Sequence, residues 1–371
     1  MNGNDRDRGV RRLAFAHVKA MNMANMRRFV AAGVGPDEFF AMSAGALAAR
    51  MGLRENLFSD SLRECLLKAA ADELEFSAAH GIRHILCTDA DYPRRLAQCD
   101  DAPAVLYVKG DADLDNRRMV AIVGTRHCTP YGKSFVDNLV ADMAAQLDDI
   151  TVVSGLAYGV DIAAHRAALA NGVPTVAVVA HGLNTIYPSD HRNEARRIVE
   201  AGGAVVTEYR SSDPIHRGNF LARNRIVAGL CDAVIVVESD LKGGAMFTAR
   251  LGAAYDREVL ALPGRTSDVY SRGCNALIAG MSARMIRGID DLVEACRWSR
   301  RPAEGAQKEL VFEPTAEQKA VLDYLRSHPR ATVNDITEGL ATSYSSLSAI
   351  LFEMEMNDMI TSLPGGRYAV L

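Results

Sequence analysis

Short apolar runs, mostly β-branched, recur along the middle of the chain, and most precede a glycine-bearing turn and a helical stretch. A strand that is apolar on both faces has to be covered on both faces, and strands that alternate with helices are joined by crossovers. The pattern therefore predicts an α/β domain with a doubly wound parallel sheet over residues 82–298. The runs are Met119–Val123, Thr151–Val153, Thr175–Val179, Ala204–Val206, Ala233–Val237 and Val259–Leu262.

The segments on either side of this region have different sequence patterns. Residues 1–81 place apolar side chains at helical spacing between turn signals, which predicts a small helical domain. A linker is predicted over residues 299–314, which are rich in charged residues, proline and glycine. Residues 315–371 predict three helices followed by a β-hairpin, with Ser343 or Ser345 as cap of the third helix. That order is typical of a winged-helix domain.

Composition excludes several classes of protein. The 371 residues exceed what one compact core usually holds, and no apolar run approaches the length of about 20 residues that crosses a bilayer. Residues 1–12 are charged and lack the apolar stretch of a signal peptide, so we expect a cytoplasmic protein with no membrane contact. Seven scattered cysteines without a C-x-x-C pair predict free thiols and no metal site.

Glycine-bearing loops follow five of the predicted strands. In a doubly wound sheet ligands bind at the carboxyl ends of the strands, where helix N-termini offer unpaired N–H groups and about half a positive charge. Glycine allows these backbone groups to approach an anion closely. The sequence therefore predicts an anion-binding rim. The loops contain residues 124–126, 154–159, 181–182, 242–244 and 263–265.

Positively charged side chains collect in the same part of the domain, although the whole chain has a formal net charge of −4. Neither the dinucleotide fingerprint nor the phosphate-loop pattern follows the first strands. Cations for phosphates combined with an aromatic ring for base stacking are the basis of single-stranded DNA binding. The cations are Arg126, Lys133, Arg192, Arg217, Arg223, Arg225, Lys242 and Arg265.

The segment 217–225 contains three arginines, no acidic residue and one aromatic residue, Phe220. Two interpretations remain open at this point. In one, the arginines bind phosphates and Phe220 stacks on a base. In the other, the segment is a solvated helix face, Phe220 lies in the core, and the arginines pair with Glu208 or Glu238.

Residue types that can act in catalysis are present, but none of them requires the protein to be an enzyme. Ser154, Asp161 and His165 could form a triad, yet the last two lie four residues apart on one predicted helix. That spacing favours a mutual hydrogen bond or a charge at the helix N-terminus, and leaves Ser154 to offer its hydroxyl to a phosphate. Glu208 and Glu238, predicted at adjacent strand ends, could be an acid/base pair or could hold arginines in place.

A set of ordered motifs over roughly residues 85–290 resembles the DprA (Smf) family of bacterial DNA-processing proteins. The motifs include the Gly-Thr-Arg of residues 124–126 and the Ser-Gly-Leu-Ala-Tyr-Gly-Val-Asp of residues 154–161. The other matching segments are residues 92–96, 102–110, 121–123, 131–132, 182–183, 187–188, 223–225, 248–249 and 263–264, together with Val153, His165 and Phe220.

The resemblance implies an extended Rossmann domain that binds single-stranded DNA, flanked by a helical, SAM-like N-terminal domain and a winged helix. It also implies a homodimer that protects incoming DNA and helps to load RecA recombinase during natural transformation, with no cofactor, metal or catalytic turnover. Carried over by motif, the DNA site comprises Gly124, Arg126, Ser154, Gly155, Phe220, Arg223, Asn224, Arg225, Lys242, Gly243 and Gly244.

Two alternatives accompany this assignment. Related Rossmann proteins hydrolyse nucleotide phosphoribosyl bonds with a glycine-rich loop that ends in glutamate, but residues 243–251 contain no glutamate. A regulator could instead read duplex DNA through the third winged-helix helix, near residues 344–356. That segment has no arginine or lysine and carries Glu353 and Glu355, so we expect the domain to serve protein contacts or regulation.

Overall fold

The structure is a computed structural model that describes residues 3–301, 314–329, 331–357, 359–363 and 366–370. The chain divides into two compact units, Met1–Arg301 and Pro302–Leu371. Most of the predicted linker, together with part of the predicted hairpin turn, lies outside the described residues. Each unit is described by itself.

The first unit is organised around a nine-stranded sheet. From one edge to the other, the strands follow the order β1-β2-β6-β5-β4-β3-β7-β8-β9. The seven strands from β6 to β9 are parallel, whereas β1, β2 and β6 pair antiparallel. The strands are β1 (Ile82–Leu86), β2 (Val105–Gly110), β3 (Arg118–Val123), β4 (Ile150–Ser154), β5 (Thr175–Val178), β6 (Ala204–Thr207), β7 (Ala233–Val236), β8 (Glu258–Ala261) and β9 (Arg284–Met285).

Helices precede the sheet in the chain and then alternate with its strands. Short 3₁₀ turns lie at Glu55–Phe58, Ser189–His191 and Val269–Ser271. The helices are α1 (Gly3–Ala16), α2 (Met23–Ala31), α3 (Pro36–Ala41), α4 (Ala44–Met51), α5 (Asp60–His80), α6 (Arg94–Ala97), α7 (Pro130–Gln146), α8 (Val160–Ala170), α9 (Arg192–Glu200), α10 (Arg217–Gly229), α11 (Gly244–Ala254), α12 (Arg272–Ala279) and α13 (Ile289–Cys296).

The predicted doubly wound sheet is confirmed, and all six predicted strands are present. The central strands are fully buried, with separate apolar clusters on the two faces, because crossover helices cover both. The sequence analysis missed β1, β2 and β9. β1 carries polar side chains between its apolar ones, and β9 has only two exposed residues, so neither shows the continuous apolar run of a central parallel strand. β2 does begin with such a run, the buried residues Val105–Val108, and it was overlooked.

The N-terminal helices share a hydrophobic core with the antiparallel edge of the sheet. Phe15, Phe29, Phe39 and Phe58 form edge-on and tilted ring contacts with centroid distances of 5.2–6.4 Å. The same core includes Tyr107 of β2. The core is therefore continuous across the predicted boundary at residue 82, and the separate N-terminal domain stays a prediction.

The second unit has the predicted winged-helix order. It contains α14 (Ala316–Ser327), α15 (Val333–Gly339) and α16 (Tyr344–Met356), followed by the antiparallel strands β10 (Ile360–Leu363) and β11 (Arg367–Val370). Ser343 caps α16 by accepting a hydrogen bond from the Ser346 amide at 3.2 Å.

The solvent-exposed face of α16 carries the apolar side chains of Tyr344, Phe352 and Met356. That composition differs from the cationic face of a helix that reads DNA.

No helix in the described ranges combines the length and apolar character that spanning a membrane requires. The seven cysteines are unpaired, and three of them are buried: Cys99, Cys231 and Cys274.

A buried histidine makes the first unit sensitive to acid. His165 of α8 is fully buried, and its Nδ1 atom lies 2.8 Å from the Thr175 hydroxyl. Burial, with smaller contributions from the charges of Arg223 and His191, lowers the pKa of His165 to about 3. Between the unfolded pKa near 6.5 and the folded pKa, the unfolded chain binds the extra proton, so stability is lost as the pH falls.

We expect His165 to contribute a loss of about 2 kcal/mol in the free energy of unfolding between pH 7 and pH 5. Urea titrations at the two pH values measure this loss. In H165Q, which cannot titrate there, the difference between the two pH values shrinks by that amount. H80Q, which replaces an exposed histidine, retains the wild-type difference. An unchanged pH dependence in H165Q would show that His165 is not the group that titrates.

Candidate nucleic-acid interface

A cleft of about 360 Å³ opens at the carboxyl ends of β3 and β7. Three segments contribute most of its lining: the loop after β3, one side of α10, and the loop that leads into α11. Ala157 and Asp161 after β4 and Tyr270 after β8 complete the wall. The structure therefore gathers most of the predicted DNA-binding residues at one place. Those in the wall of the cleft are Gly124, Arg126, Phe220, Arg223, Asn224, Gly243 and Gly244.

The loop after β3 is held close to its neighbours. The Thr125 amide donates to the Glu238 carbonyl at 2.6 Å, and the Val160 amide donates to the Thr125 carbonyl at 3.1 Å. A Cβ atom at Gly124 would lie 2.4 Å from a methyl carbon of Val160, so only glycine fits there. The next residue but one, Arg126, is exposed and forms no ion pair with the described residues. Its guanidinium is therefore free to bind a phosphate.

Glu238 fixes the start of α7, which follows the same loop. This buried carboxylate accepts hydrogen bonds from the Thr129 amide at 2.8 Å and from the Thr129 hydroxyl at 2.5 Å. It is not half of an acid/base pair with Glu208, because β6 and β7 are separated by three strands. Glu208 instead accepts a hydrogen bond from Arg225 at 2.6 Å.

Successive residues of α10 have different environments. Phe220 and Asn224 are half-buried and lie in the wall of the cleft, and the Phe220 ring contacts Tyr187 edge-on at a centroid distance of 5.6 Å. Arg225 is paired with Glu208 and does not line the cleft. The two sequence interpretations thus each describe part of this segment. Phe220 lies in the wall of the cleft and not in the core, whereas Arg225 is engaged in an ion pair.

Arg223 lies beneath the cleft and is only 5% exposed. Its Nη1 atom donates to the Gly155 carbonyl at 2.6 Å and also to the Val178 carbonyl. Burial lowers the pKa of Arg223, while the charge of the nearby Asp161 opposes that shift. A Cβ atom at residue 155 would lie 2.3 Å from Nη1, so Gly155 makes room for the guanidinium. The geometry gives Arg223 and Gly155 a structural role that the sequence did not predict.

Ser154 also differs from its predicted role. It is fully buried at the end of β4, and its hydroxyl donates to the Ile122 carbonyl at 2.6 Å, which ties β4 to β3. The hydroxyl is therefore not presented to a ligand.

Of the two alternatives for Asp161 and His165, the mutual hydrogen bond is not formed, whereas Asp161 does lie in the first turn of α8. Asp161 instead accepts from the Ala157 amide at 3.4 Å, and burial raises the pKa of its carboxyl.

The third wall comes from the loop that leads into α11. Gly243 is the residue before the first helical position, and the first turn of a helix of this length presents backbone N–H groups without an intrahelical partner. Gly244 is exposed, and a Cβ atom there would meet nothing within 4 Å, so the backbone is open to a ligand. Lys242 is exposed beside this turn but does not line the cleft.

Most of the predicted cations remain available along the rim. Within the described ranges, ion pairs engage Arg225 alone among the eight. Arg223 is buried, and six exposed cations have no acidic partner, which leaves a positive rim on a chain whose net charge is negative. The six are Arg126, Lys133, Arg192, Arg217, Lys242 and Arg265.

Two aromatic residues in the wall were missed by the sequence analysis. His127 and Tyr270 have nearly parallel rings, with centroids 5.9 Å apart and an interplanar angle of 22°. His127 directly follows Arg126, which was a signal that could have been used. Tyr270 lies in a loop distant in sequence, and only the parallel neighbours β7 and β8 bring that loop to the cleft.

Two family matches together span most of the chain. Residues 83–297 match the family described as DNA recombination-mediator protein A, and residues 301–366 match the DprA winged helix domain. The first match covers more than half of the chain. This chain belongs to the DprA family.

Individual relatives agree with this assignment. Protein Smf of Escherichia coli is 32% identical over 292 residues, which cover 76% of each chain. Among solved structures, DNA processing protein A of Streptococcus pneumoniae aligns with a TM-score of 0.63 and 28% identity, over 76% of this chain and 95% of that one.

A second solved structure concerns the single-stranded DNA binding mode of DNA processing protein A from Helicobacter pylori. It aligns with a TM-score of 0.50 and 34% identity, over 57% of this chain and 94% of that chain.

We expect Arg223→Ala to lower the free energy of unfolding by about 2–4 kcal/mol, because it leaves two buried carbonyls without their donor. Urea unfolding monitored by circular dichroism measures the loss. Asn224→Ala is the matched control, since the neighbouring side chain is half-exposed and has no comparable bonds to the strands. A stable Arg223→Ala variant that bound DNA poorly would instead restore Arg223 as a direct phosphate contact.

Proposed function

We propose that this DprA-family protein binds single-stranded DNA in the cleft at the carboxyl ends of β3 and β7. The observation that carries the proposal is the exposed, unpaired guanidinium of Arg126 beside the half-buried ring of Phe220. A cation for the backbone and an aromatic surface for a base suit a ligand whose bases are not paired. The single-stranded DNA binding of the H. pylori relative supports the same class of ligand.

The shape of the cleft favours a single strand over duplex DNA. Among the described residues that line the cleft, α10 contributes Phe220 and Asn224 to a wall and is not presented for insertion into a major groove. The anion-binding elements are a glycine turn after β3 and the N-terminus of α11, which contact a backbone phosphate without reading a base. Binding should therefore depend weakly on base sequence.

The proposal is one of binding without catalytic turnover. The groups that could have formed a catalytic set are occupied: Ser154 bonds to a strand carbonyl, His165 pairs with Thr175, and Glu238 holds the start of α7. Glu208 is paired with Arg225. None of these four groups lines the cleft. Asp161 does line it, but it accepts a hydrogen bond from the Ala157 amide at 3.4 Å, and neither Ser154 nor His165 lies in the cleft with it.

The wider role of the chain rests on family membership. We propose that it acts as a homodimer in the cytoplasm, protects incoming DNA, and helps to load RecA recombinase during natural transformation. The exposed edge strand β9 is consistent with pairing to a second copy, because Met285 within it and Met281 shortly before it are 45% and 93% exposed. The winged helix is proposed to serve protein contacts, in keeping with the apolar exposed face of α16.

Replacing Arg126 by alanine should weaken the binding of an oligo-dT strand. One lost phosphate contact should also make the slope of log affinity against log salt shallower by about 0.7. Fluorescence anisotropy at several salt concentrations measures both quantities. Arg54→Ala removes an exposed arginine outside the cleft and should leave both unchanged. Equal affinities and slopes for wild type and a folded Arg126→Ala protein would contradict the site.

We expect the purified protein to release no adenine from AMP. Residues 243–251 supply no glutamate for attack at the glycosidic carbon. Of the two carboxylates that line the cleft, Asp161 accepts a hydrogen bond from the Ala157 amide and Asp240 pairs with Arg272. Chromatography of AMP after incubation with the protein checks this, with a parallel sample lacking protein for background hydrolysis. Turnover above that background would replace the binding proposal with a hydrolase.

A further inference from the structure

A second hollow, which we call the outer hollow, adjoins the cleft. It has a volume of about 990 Å³ and is lined by residues that include Tyr131, Pro263, Arg265, Val269 and Tyr270. Tyr270 also lines the cleft, so this residue forms the wall between the two spaces. A strand that occupies the cleft can therefore continue into the outer hollow past a single aromatic residue.

Two tyrosines contribute aromatic surface to the outer hollow: Tyr131 is exposed and Tyr270 is half-buried. Tyr131 is 53% exposed, and its hydroxyl donates to the Pro263 carbonyl at 2.9 Å, which holds the ring at the mouth of the hollow. The ring of Tyr270 stacks beside His127, as described above. Exposed rings fixed in place are what unpaired bases stack on, because every base has a π face.

The charges around the outer hollow suit a phosphate backbone. Arg265 is exposed and forms no ion pair within the described part of the chain. Two carboxylates belong to the wall. Glu238 is buried and bonded to Thr129, while Asp268 is exposed and is the one acidic group that a phosphate would have to avoid.

The walls of the outer hollow are fixed before any ligand arrives. The Asn275 side chain bonds to both backbone groups of Gly264, accepting from the amide at 3.1 Å and donating to the carbonyl at 2.9 Å. The Ser239 amide donates to the Tyr270 carbonyl at 2.6 Å. A preorganised surface of this kind loses little conformational entropy when it binds.

We propose that the outer hollow is a second base-stacking subsite for single-stranded DNA, which extends the path from Phe220 through the cleft to Tyr131. The proposal rests on the proposed function. The path follows the sheet order β3-β7-β8, in which neighbouring strands lie about 4.8 Å apart. The cleft and the outer hollow are therefore neighbours along one rim of the sheet. Long strands engage both spaces, whereas short strands engage the cleft alone.

We infer DNA bases as the occupant of the outer hollow because it is continuous with the cleft and adds a further aromatic ring. A hollow between α7 and α8 also adjoins Arg126 and carries Lys133, but its lining includes no tyrosine, phenylalanine or tryptophan. Its one aromatic lining residue is His127, whose ring already stacks beside Tyr270 in the wall of the cleft. The outer hollow adds the ring of Tyr131 and the charge of Arg265, and it shares Tyr270 with the space proposed to bind the strand.

The test compares oligo-dT strands of roughly 4 and roughly 16 nucleotides, the two ends of the usual range of site sizes. Tyr131→Ala should weaken binding of the long strand by roughly 5- to 100-fold and leave the short strand nearly unchanged. Tyr131→Phe keeps the ring and removes only the hydroxyl bond to Pro263, so it should bind the long strand much as wild type does. Arg265→Ala should reduce the salt slope for the long strand alone.

Each outcome decides between explanations. Equal effects of Tyr131→Ala on both lengths, or no effect on either, would overturn the subsite and leave the proposed function standing. A loss in Tyr131→Phe as large as that in Tyr131→Ala would overturn stacking, because the ring is still present. Failure of the wild-type protein to bind either length would instead contradict the proposed function itself.

Discussion

The buried guanidinium of Arg223 is the interaction on which the rest of the candidate site depends. It joins α10 to the carbonyls that end β4 and β5, and it requires glycine at residue 155. Arg223 anchors α10. Phe220 lies one turn before it and Asn224 one position after it, and both therefore lie in the wall of the cleft. The floor of the site is thus built from a charge that is satisfied by backbone oxygens, with Asp161 nearby.

The positively charged side chains of the rim fall into two groups, those bonded within the fold and those exposed to solvent. Arg223 donates to strand carbonyls, and Arg225 forms an ion pair with Glu208. The remaining rim cations stay exposed without acidic partners among the described residues. This division explains how a chain with a formal net charge of −4 can present a positive surface to a polyanion. What matters for binding is the local field at the rim, where the glycine turn before α11 and the guanidinium of Arg126 line the same cleft.

Sequence reasoning predicted the features that depend on local pattern. Buried parallel strands have continuous apolar runs, and the glycine turns at their ends are visible in the sequence, so the sheet and the anion-binding rim were both predicted. It did not predict which polar residues are buried. Ser154 and Arg223 look like ligand contacts in sequence, but their partners are carbonyls of strands that are distant along the chain. Tyr270 was missed for the same reason, since only the pairing of β7 with β8 brings its loop to the cleft.

The measurement that tests the central claim most directly is the affinity of the full-length protein for a labelled oligo-dT strand and for a duplex of equal length. Anisotropy titrations at several salt concentrations provide both values. The account predicts tight, salt-sensitive binding with a clear preference for the single strand, because the cleft offers phosphate contacts and a stacking surface but no helix for a major groove. Equal affinity for the two forms, or no binding at moderate salt, would contradict it.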